Sequence, residues 1–138
     1  MIAYVTVGAD DMVSAERFYS AFLHTLGYAL EEYNGDLSYI PPAQPGQKST
    51  SPDFYVNRPF DGGPSSAGNG CMLAFEASSQ EQVRELHAAA LAAGGADEGQ
   101  PGFRASYGSH FYVGYLRDPH GNKLALFCDT PDEAERGN

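Results

Sequence analysis

Four histidines are the side chains of this sequence best suited to acid–base chemistry: His24, His87, His110 and His120. An unperturbed imidazole titrates near neutral pH, so a histidine in a cleft can act as a general base or bind a metal ion. Two of the four fall late in predicted helices and His120 falls at the tip of a predicted turn, so we expect these three at the surface. His110 opens the stretch HFYVGY beside a glycine–serine loop and is the candidate catalytic residue. No pair has a spacing typical of a shared metal ion.

The two cysteines, Cys71 and Cys128, are far apart in the sequence and belong to no CxxC or Cys/His array. Each falls in an apolar, strand-like run, where a free cysteine usually packs as a small core residue. Apolar surroundings also raise the pKa of a thiol, which disfavours a nucleophilic Cys–His pair at either position.

Two arginines form a third group of candidate functional residues, because basic residues are few in this sequence. Arg58 follows the strand-like stretch DFYVN, and Arg104 lies in the predicted loop QPGFRASYGSH. A guanidinium is well suited to hold a carboxylate or another anion at the mouth of a binding site. The alternative is that both arginines form loose ion pairs on the surface.

The charge balance limits the partners of the protein. Eighteen acidic against eight basic residues give a net charge of -10 over 138 residues. Such a surface repels nucleic acid and anionic membranes, so we expect neither as a partner; it favours cationic ligands, or serves solubility alone. The apolar runs are too short for a membrane span, and the N-terminal stretch MIAYVTVGADD has no signal-peptide pattern, so we expect a cytoplasmic protein.

The two halves of the chain show the same order of features at a shift of 68 residues. IAYVTVGA and GCMLAFEA are strand-like, and each precedes a helix-capping residue, an amphipathic helix and a terminating glycine. The helices are predicted over roughly Met12–Leu26 and Gln80–Ala93. The shift pairs Val5 with Leu73, Val7 with Phe75, Asp11 with Ser79, Phe18 with Leu86 and Gly27 with Gly95. We infer an internal duplication.

The segments after each helix predict further strands. YALEEY, GDLSYI and PDFYVN follow the first helix, and a hairpin of HFYVGYLRD and NKLALFC follows the second, with Gly121 supplying a positive φ in the turn DPHGN. The predicted class is α+β, a single domain over 1–138 made of two βαβββ modules. The first module covers 1–60, a linker 61–69, the second module 70–129, and a C-terminal tail, expected to be disordered, 130–138.

Two βαβββ units in one chain resemble the vicinal oxygen chelate superfamily, which holds glyoxalases, bleomycin-resistance proteins and extradiol dioxygenases. The resemblance is carried by YVTVGADDMVSAERFY, by PDFYVNRPFDGGPSSAGNGCMLAF and by YVGYLRDPHGNKLALFC, and it covers nearly the whole chain. It implies that the two modules curl into a cup-shaped, half-open barrel with a small-molecule ligand inside. It also implies a homodimer.

The same resemblance implies where a metal ion would bind. Metal-using members place a His seven residues before the capping Asp, a second His three residues before a Phe, and a Glu seven residues after the Asp of the turn. In this sequence those positions are Tyr4, Met72 and Ala125. A neutral phenol and a thioether are poor ligands for a hard or borderline ion, and a methyl group is none. We therefore expect no metal at this position and no cofactor.

The sequence thus favours a protein that binds a small aromatic or amphipathic molecule in its cup. The candidate ligand-binding residues are Tyr4, Tyr55, Asn57, Met72, Arg104, Tyr112 and Ala125. Alternation places Tyr112 and Tyr115 on opposite faces of one strand but does not say which face looks inward. Two alternatives stay open. One is a glyoxalase-like lyase, isomerase or dioxygenase, metal-free or with a relocated metal site, in which His110 or Asp53 is the base; the other is a structural module without a ligand.

Overall fold

The computed structural model describes residues 1–131, and within them two βαβββ modules follow one another along the chain. The first module consists of β1 (Tyr4–Gly8), α1 (Met12–Leu23), β2 (Ala29–Tyr33), β3 (Asp36–Ile40) and β4 (Asp53–Asn57). The second consists of β5 (Leu73–Glu76), α2 (Gln80–Ala92), β6 (Ala96–Phe103), β7 (Tyr112–Arg117) and β8 (Lys123–Cys128). Most of the predicted tail, 132–138, lies outside the described residues.

Each module forms a four-stranded sheet, and the two sheets have equivalent topology. The strand orders are β1-β4-β3-β2 and β5-β8-β7-β6. In each sheet the first strand of the module is an edge strand that pairs in parallel with the last one, Val5 opposite Phe54 and Leu73 opposite Leu124. The predicted α+β class and the duplication are confirmed. The two sheets do not close into a barrel over the described part of the chain, as expected for a half-open cup.

The helices begin where the capping residues predict. Asp11 accepts hydrogen bonds from the amides of Val13 and Ser14, and Ser79 Oγ accepts one from the amide of Gln82 at 3.0 Å. The Gln82 side chain in turn accepts a hydrogen bond from the Ser78 amide at 2.7 Å. No helix within 1–131 is long and apolar enough to cross a membrane.

The third strand that a second βαβββ module requires, β6, was not located in the sequence, because ADEGQPGF contains two glycines and a proline, which usually mark a loop. It pairs with β7 through two shifts of register, between Asp97 and Gly99 and between Gly99 and Gly102. Such bulges accommodate residues that a regular ladder does not, and they bend the strand. Arg104 consequently lies directly after an edge strand rather than in the middle of a long loop.

A single aromatic core joins the modules. Phe75 of β5 packs edge-on against Phe22 of α1 and Phe54 of β4, with ring centroids 5.7 and 5.3 Å away. All three side chains are buried. Because aromatic rings bury a large apolar area and favour edge-to-face contact, this cluster anchors the second sheet to the first module.

A buried carboxylate makes a second connection between the modules. Asp118 is 4% exposed and accepts hydrogen bonds from the amides of His120 and Asn122, from Asn122 Nδ2, and from the Tyr19 hydroxyl of α1 at 2.5 Å. Burial, followed by the nearby Asp118 charge, holds the pKa of Tyr19 well above its usual value, so its hydroxyl remains a donor. Asn122 Nδ2 also donates to the Gly8 carbonyl at 2.9 Å, which ties the turn to β1.

Replacing the cap, Ser79→Ala, should lower the free energy of unfolding by about 1 kcal/mol, because the Gln82 amide loses its acceptor. Urea titration followed by circular dichroism measures this loss. Ser66→Ala, at an exposed linker position, is the control and should change nothing measurable. Equal stability of the Ser79 variant and the wild type would contradict the assignment of this cap.

Tyr19→Phe should destabilise the protein by about 1–3 kcal/mol, because a buried carboxylate then loses a hydrogen-bond donor. Tyr39→Phe is the matched control: its hydroxyl lies 2.9 Å from Ser20 Oγ and involves no charge, so its loss should cost about 1 kcal/mol or less. The measurement is again urea unfolding at neutral pH. If the two variants are equally stable, the Asp118 network contributes less than its geometry indicates.

Candidate functional site

The exposed face of the second sheet contains a small apolar cavity. In the sheet, Ala74, Ala125 and Tyr115 lie side by side on neighbouring strands. The two alanine methyl groups leave a depression of about 190 Å³ between larger neighbours. We call this depression the apolar cavity. It is lined by Met72, Ala74, Phe111, Val113, Tyr115, Ala125 and Phe127. The intervening residues of β8, Leu124 and Leu126, point the other way into the core.

A larger cleft of about 490 Å³ separates β1 from β5, and we call it the junction cleft. Thr6 of β1, the exposed Cys71, Met72, Asn122 and Lys123 are among its lining residues. Met72 also lines the apolar cavity, so the two spaces meet at its side chain.

Two cationic side chains lie close to the ring of Tyr115, which lines the apolar cavity. The Arg104 guanidinium lies 5.7 Å from the centroid of the Tyr115 ring, and Lys123 Nζ lies 5.2 Å from it. Both distances are within the range of a cation–π interaction. Arg104 is held in place by the carbonyls of Gln100 and Phe103, at 3.0 and 3.3 Å.

The exposed face of the first sheet is phenolic and polar. The rings of Tyr4 and Tyr55 lie 5.1 Å apart at an angle of 31°, and Tyr4 is 60% exposed. The Tyr55 hydroxyl donates to Asp53 at 3.2 Å; burial, then the Asp53 charge, raises the pKa of Tyr55. Asn57 and Arg58 line a separate cleft of about 390 Å³ beside the linker.

Solved structures with the same architecture decide the family. A glyoxalase/bleomycin resistance protein from Albidiferax ferrireducens T118 is 36% identical over 92% of this chain and 97% of its own, with a TM-score of 0.77. The chain belongs to the glyoxalase/bleomycin resistance protein/dioxygenase superfamily. A glyoxalase-related enzyme from Fulvimarina pelagi (20% identity, 92% of this chain and 86% of that one, TM-score 0.70) shares the fold. A superfamily enzyme from Burkholderia phytofirmans PsJN also shares the fold, with 18% identity, coverage of 93% of this chain and 98% of that one, and a TM-score of 0.68. No family model and no curated protein matches.

The residues at the expected metal position of this superfamily do not fit a divalent ion. Ala125 presents a methyl group to the cavity, and Met72 presents a thioether, which is a soft ligand. Tyr4 lies on the other sheet, stacked on Tyr55, and lines neither the apolar cavity nor the junction cleft. Across residues 1–131 no group of three or more His, Cys, Asp or Glu side chains could hold a metal ion.

The structure brings some of the sequence-predicted ligand residues together and separates others. Met72 and Ala125 share the apolar cavity, and Arg104 lies close to the ring of Tyr115, which also lines it. Tyr112 instead faces α2: it is 5% exposed and its hydroxyl accepts a hydrogen bond from Arg84 Nη1 at 3.1 Å. Tyr112 is therefore not part of the proposed site. Tyr4, Tyr55 and Asn57 belong to the first sheet, away from the apolar cavity.

Two histidines have structural roles that the sequence did not indicate. His87, expected at the surface, is 2% exposed; its Nε2 lies 3.0 Å from the Tyr115 carbonyl and 3.4 Å from Asp97. His120, expected to face solvent, accepts a hydrogen bond from the amide of the helix cap Asp11 at 3.0 Å. Both expectations were wrong. The catalytic candidate His110 is half-buried and lines neither the apolar cavity nor the junction cleft.

Five residues of the site were not among the predictions: Ala74, Phe111, Val113, Lys123 and Phe127. Tyr115 was named only as the alternative to Tyr112 on its strand. A signal for two of them was present, because Lys123 and Phe127 lie two residues either side of Ala125 and alternation puts all three on one face. Phe111 and Val113 could not be assigned to the site from the sequence, because their position depends on the register between β7 and β8. In that register Val113 lies opposite Phe127.

We expect the purified protein to bind no zinc, nickel, manganese or ferrous iron stoichiometrically at micromolar concentration, because the family position lacks ligands. Isothermal titration with elemental analysis checks this. The triple variant Tyr4→His, Met72→His, Ala125→Glu restores the ligand types of the metal-using members and tests whether those positions converge. Micromolar binding by the wild type that Met72→Ala abolishes would contradict the prediction.

Proposed function

We propose that this protein binds a small molecule with an aromatic or similarly compact apolar group, and that it does so without a metal ion. The observation that supports this most directly is the apolar cavity, centred on Ala125 at the position where metal-using members of the superfamily would have a carboxylate. The side chains that line the cavity favour an apolar group, and none of them is a good ligand for a divalent metal ion.

The size of the cavity supports a ring-sized occupant. An apolar cavity of roughly 150 Å³ in another protein stays dry and takes up benzene. The space above Ala125, about 190 Å³, is of that order. The junction cleft, about 490 Å³, meets it at Met72 and has the size typical of a small-molecule site, so a substituent on the ring has room to extend.

The chemistry of the walls supports the same class of ligand. Phe111 and Phe127 lie with their ring centroids 4.8 Å apart, and an aromatic ligand would add to this cluster in an offset or edge-on arrangement. Met72 is 47% exposed, and its flexible, polarisable side chain adapts to ligands of different shape.

The enzyme alternative has less support from the geometry. A general base must lie within hydrogen-bond reach of a bound substrate. Neither His110 nor Asp53 lines the apolar cavity or the junction cleft, and Asp53 already accepts a hydrogen bond from Tyr55. Binding therefore explains the arrangement of the site more simply than catalysis by these two residues.

Filling the cavity tests the proposal. With methionine methyl groups labelled with carbon-13, titration of benzyl alcohol should shift the Met72 resonance, which Met72→Leu identifies. Ala125→Leu should abolish this shift, because the added atoms occupy the cavity. Ala88→Leu, on the exposed face of α2, is the matched control and should bind as the wild type does. The proposal fails if the Ala125 variant folds and responds to the probe like the control.

A further inference from the structure

We propose that the natural ligand is a small amphipathic anion, with its apolar group in the apolar cavity and a carboxylate or comparable anionic group held by Arg104 and Lys123. This inference rests on the proposed binding function and adds the charge of the ligand. The proposed negative charge of the ligand is the opposite of what the net charge of the chain, -10, would favour by itself.

Arg104 is positioned as an anion-binding group by the local backbone. Gly102 leaves room for the guanidinium, because a Cβ at that position would lie 3.0 Å from Arg104 Nη1. The side chain uses two of its five N–H groups on the carbonyls of Phe103 and Gln100. Those bonds fix its orientation and leave further donors for a ligand, and a guanidinium fork matches the geometry of a carboxylate.

Lys123 supplies the second cation from the neighbouring strand. It is the first residue of β8, lines the junction cleft, and places Nζ 5.2 Å from the ring of Tyr115. Tyr115 lines the apolar cavity, and both cations lie close to the centroid of its ring, at 5.7 and 5.2 Å. An anion beside this ring would be within reach of both charges while its apolar group remained in contact with Ala125 and Phe127.

Within residues 1–131 neither cation forms an ion pair with a carboxylate, although acidic side chains outnumber basic ones in the sequence. Arg117, on the same strand as Tyr115, is paired with Glu98 and is not available in this way. On the same face of the second sheet, Glu76 lies at the opposite end of β5, four residues from Met72 and thus about 13 Å along the strand. Both cations therefore lack a carboxylate partner among the residues that the structure describes.

Three probes with one ring and nearly the same spacer separate charge from apolar contact: phenylacetate, phenylacetamide and phenethylamine. Affinities are measured from the Met72 methyl shift and by calorimetry. We expect phenylacetate to bind about tenfold more tightly than phenylacetamide, the size of effect that charge-assisted hydrogen bonds give in a partly exposed site. Phenethylamine should bind more weakly than either.

Variants then assign the preference to the two cations. Arg104→Gln and Lys123→Gln should each reduce the affinity for phenylacetate, and the double variant should bind phenylacetate and phenylacetamide equally, with the affinity for phenylacetamide unchanged. Lys48→Gln, in an exposed loop of the first module, is the control for a general loss of positive charge and should keep the preference.

The outcomes distinguish this inference from the function on which it rests. If phenylacetamide binds as tightly as phenylacetate, and Ala125→Leu abolishes both, the anion proposal is overturned while the binding function stands. Persistence of the preference in the double variant also overturns the assignment to Arg104 and Lys123. If no probe moves the Met72 methyl resonance, both proposals fail together.

Discussion

The position of the candidate site depends on four hydrogen bonds to the buried Asp118 carboxylate. A carboxylate so far from water is costly unless every acceptor position is used, so the turn, Tyr19 and Asn122 must adopt one arrangement. Strand β8 begins at Lys123, directly after this turn. The orientation of Lys123 and Ala125 relative to the first module is therefore set by a contact outside the proposed binding site.

Strand β5 shows how one short segment serves stability and binding together. Its inward residue Phe75 is buried against Phe22 and Phe54 of the first module, whereas the neighbouring Ala74 and the preceding Met72 face the opposite side. Because successive side chains of a strand alternate, the aromatic contact that joins the modules also fixes which side chains line the apolar cavity. A substitution that slipped the strand by one residue would exchange core and site.

Local signals made most of the fold predictable, whereas the site depended on pairings between distant segments. The caps Asp11 and Ser79 and the turn glycine Gly121 act through neighbouring residues, so the sequence alone located both helices and the last hairpin. The inward face of β7 could not be chosen, because Tyr112 and Tyr115 have the same type and only the register with β8 and the packing of α2 separate them. The bulged strand β6 was missed for a related reason: its register with β7 shifts twice, so its sequence lacks the regular alternation that marks a strand.

The net charge of the chain favours a cationic ligand, whereas the charges beside the apolar cavity favour an anionic one, and the proposal rests on the local charges. Exposed charges more than about 8 Å apart are largely screened at physiological ionic strength, so most of the acidic residues contribute little at any one point. Arg104 and Lys123 lie close to the same ring and are only partly exposed, so their charges are screened less than those of fully exposed side chains. An acidic surface elsewhere is therefore compatible with the proposed ligand, because a small anion with an apolar body would meet two cations at the proposed site.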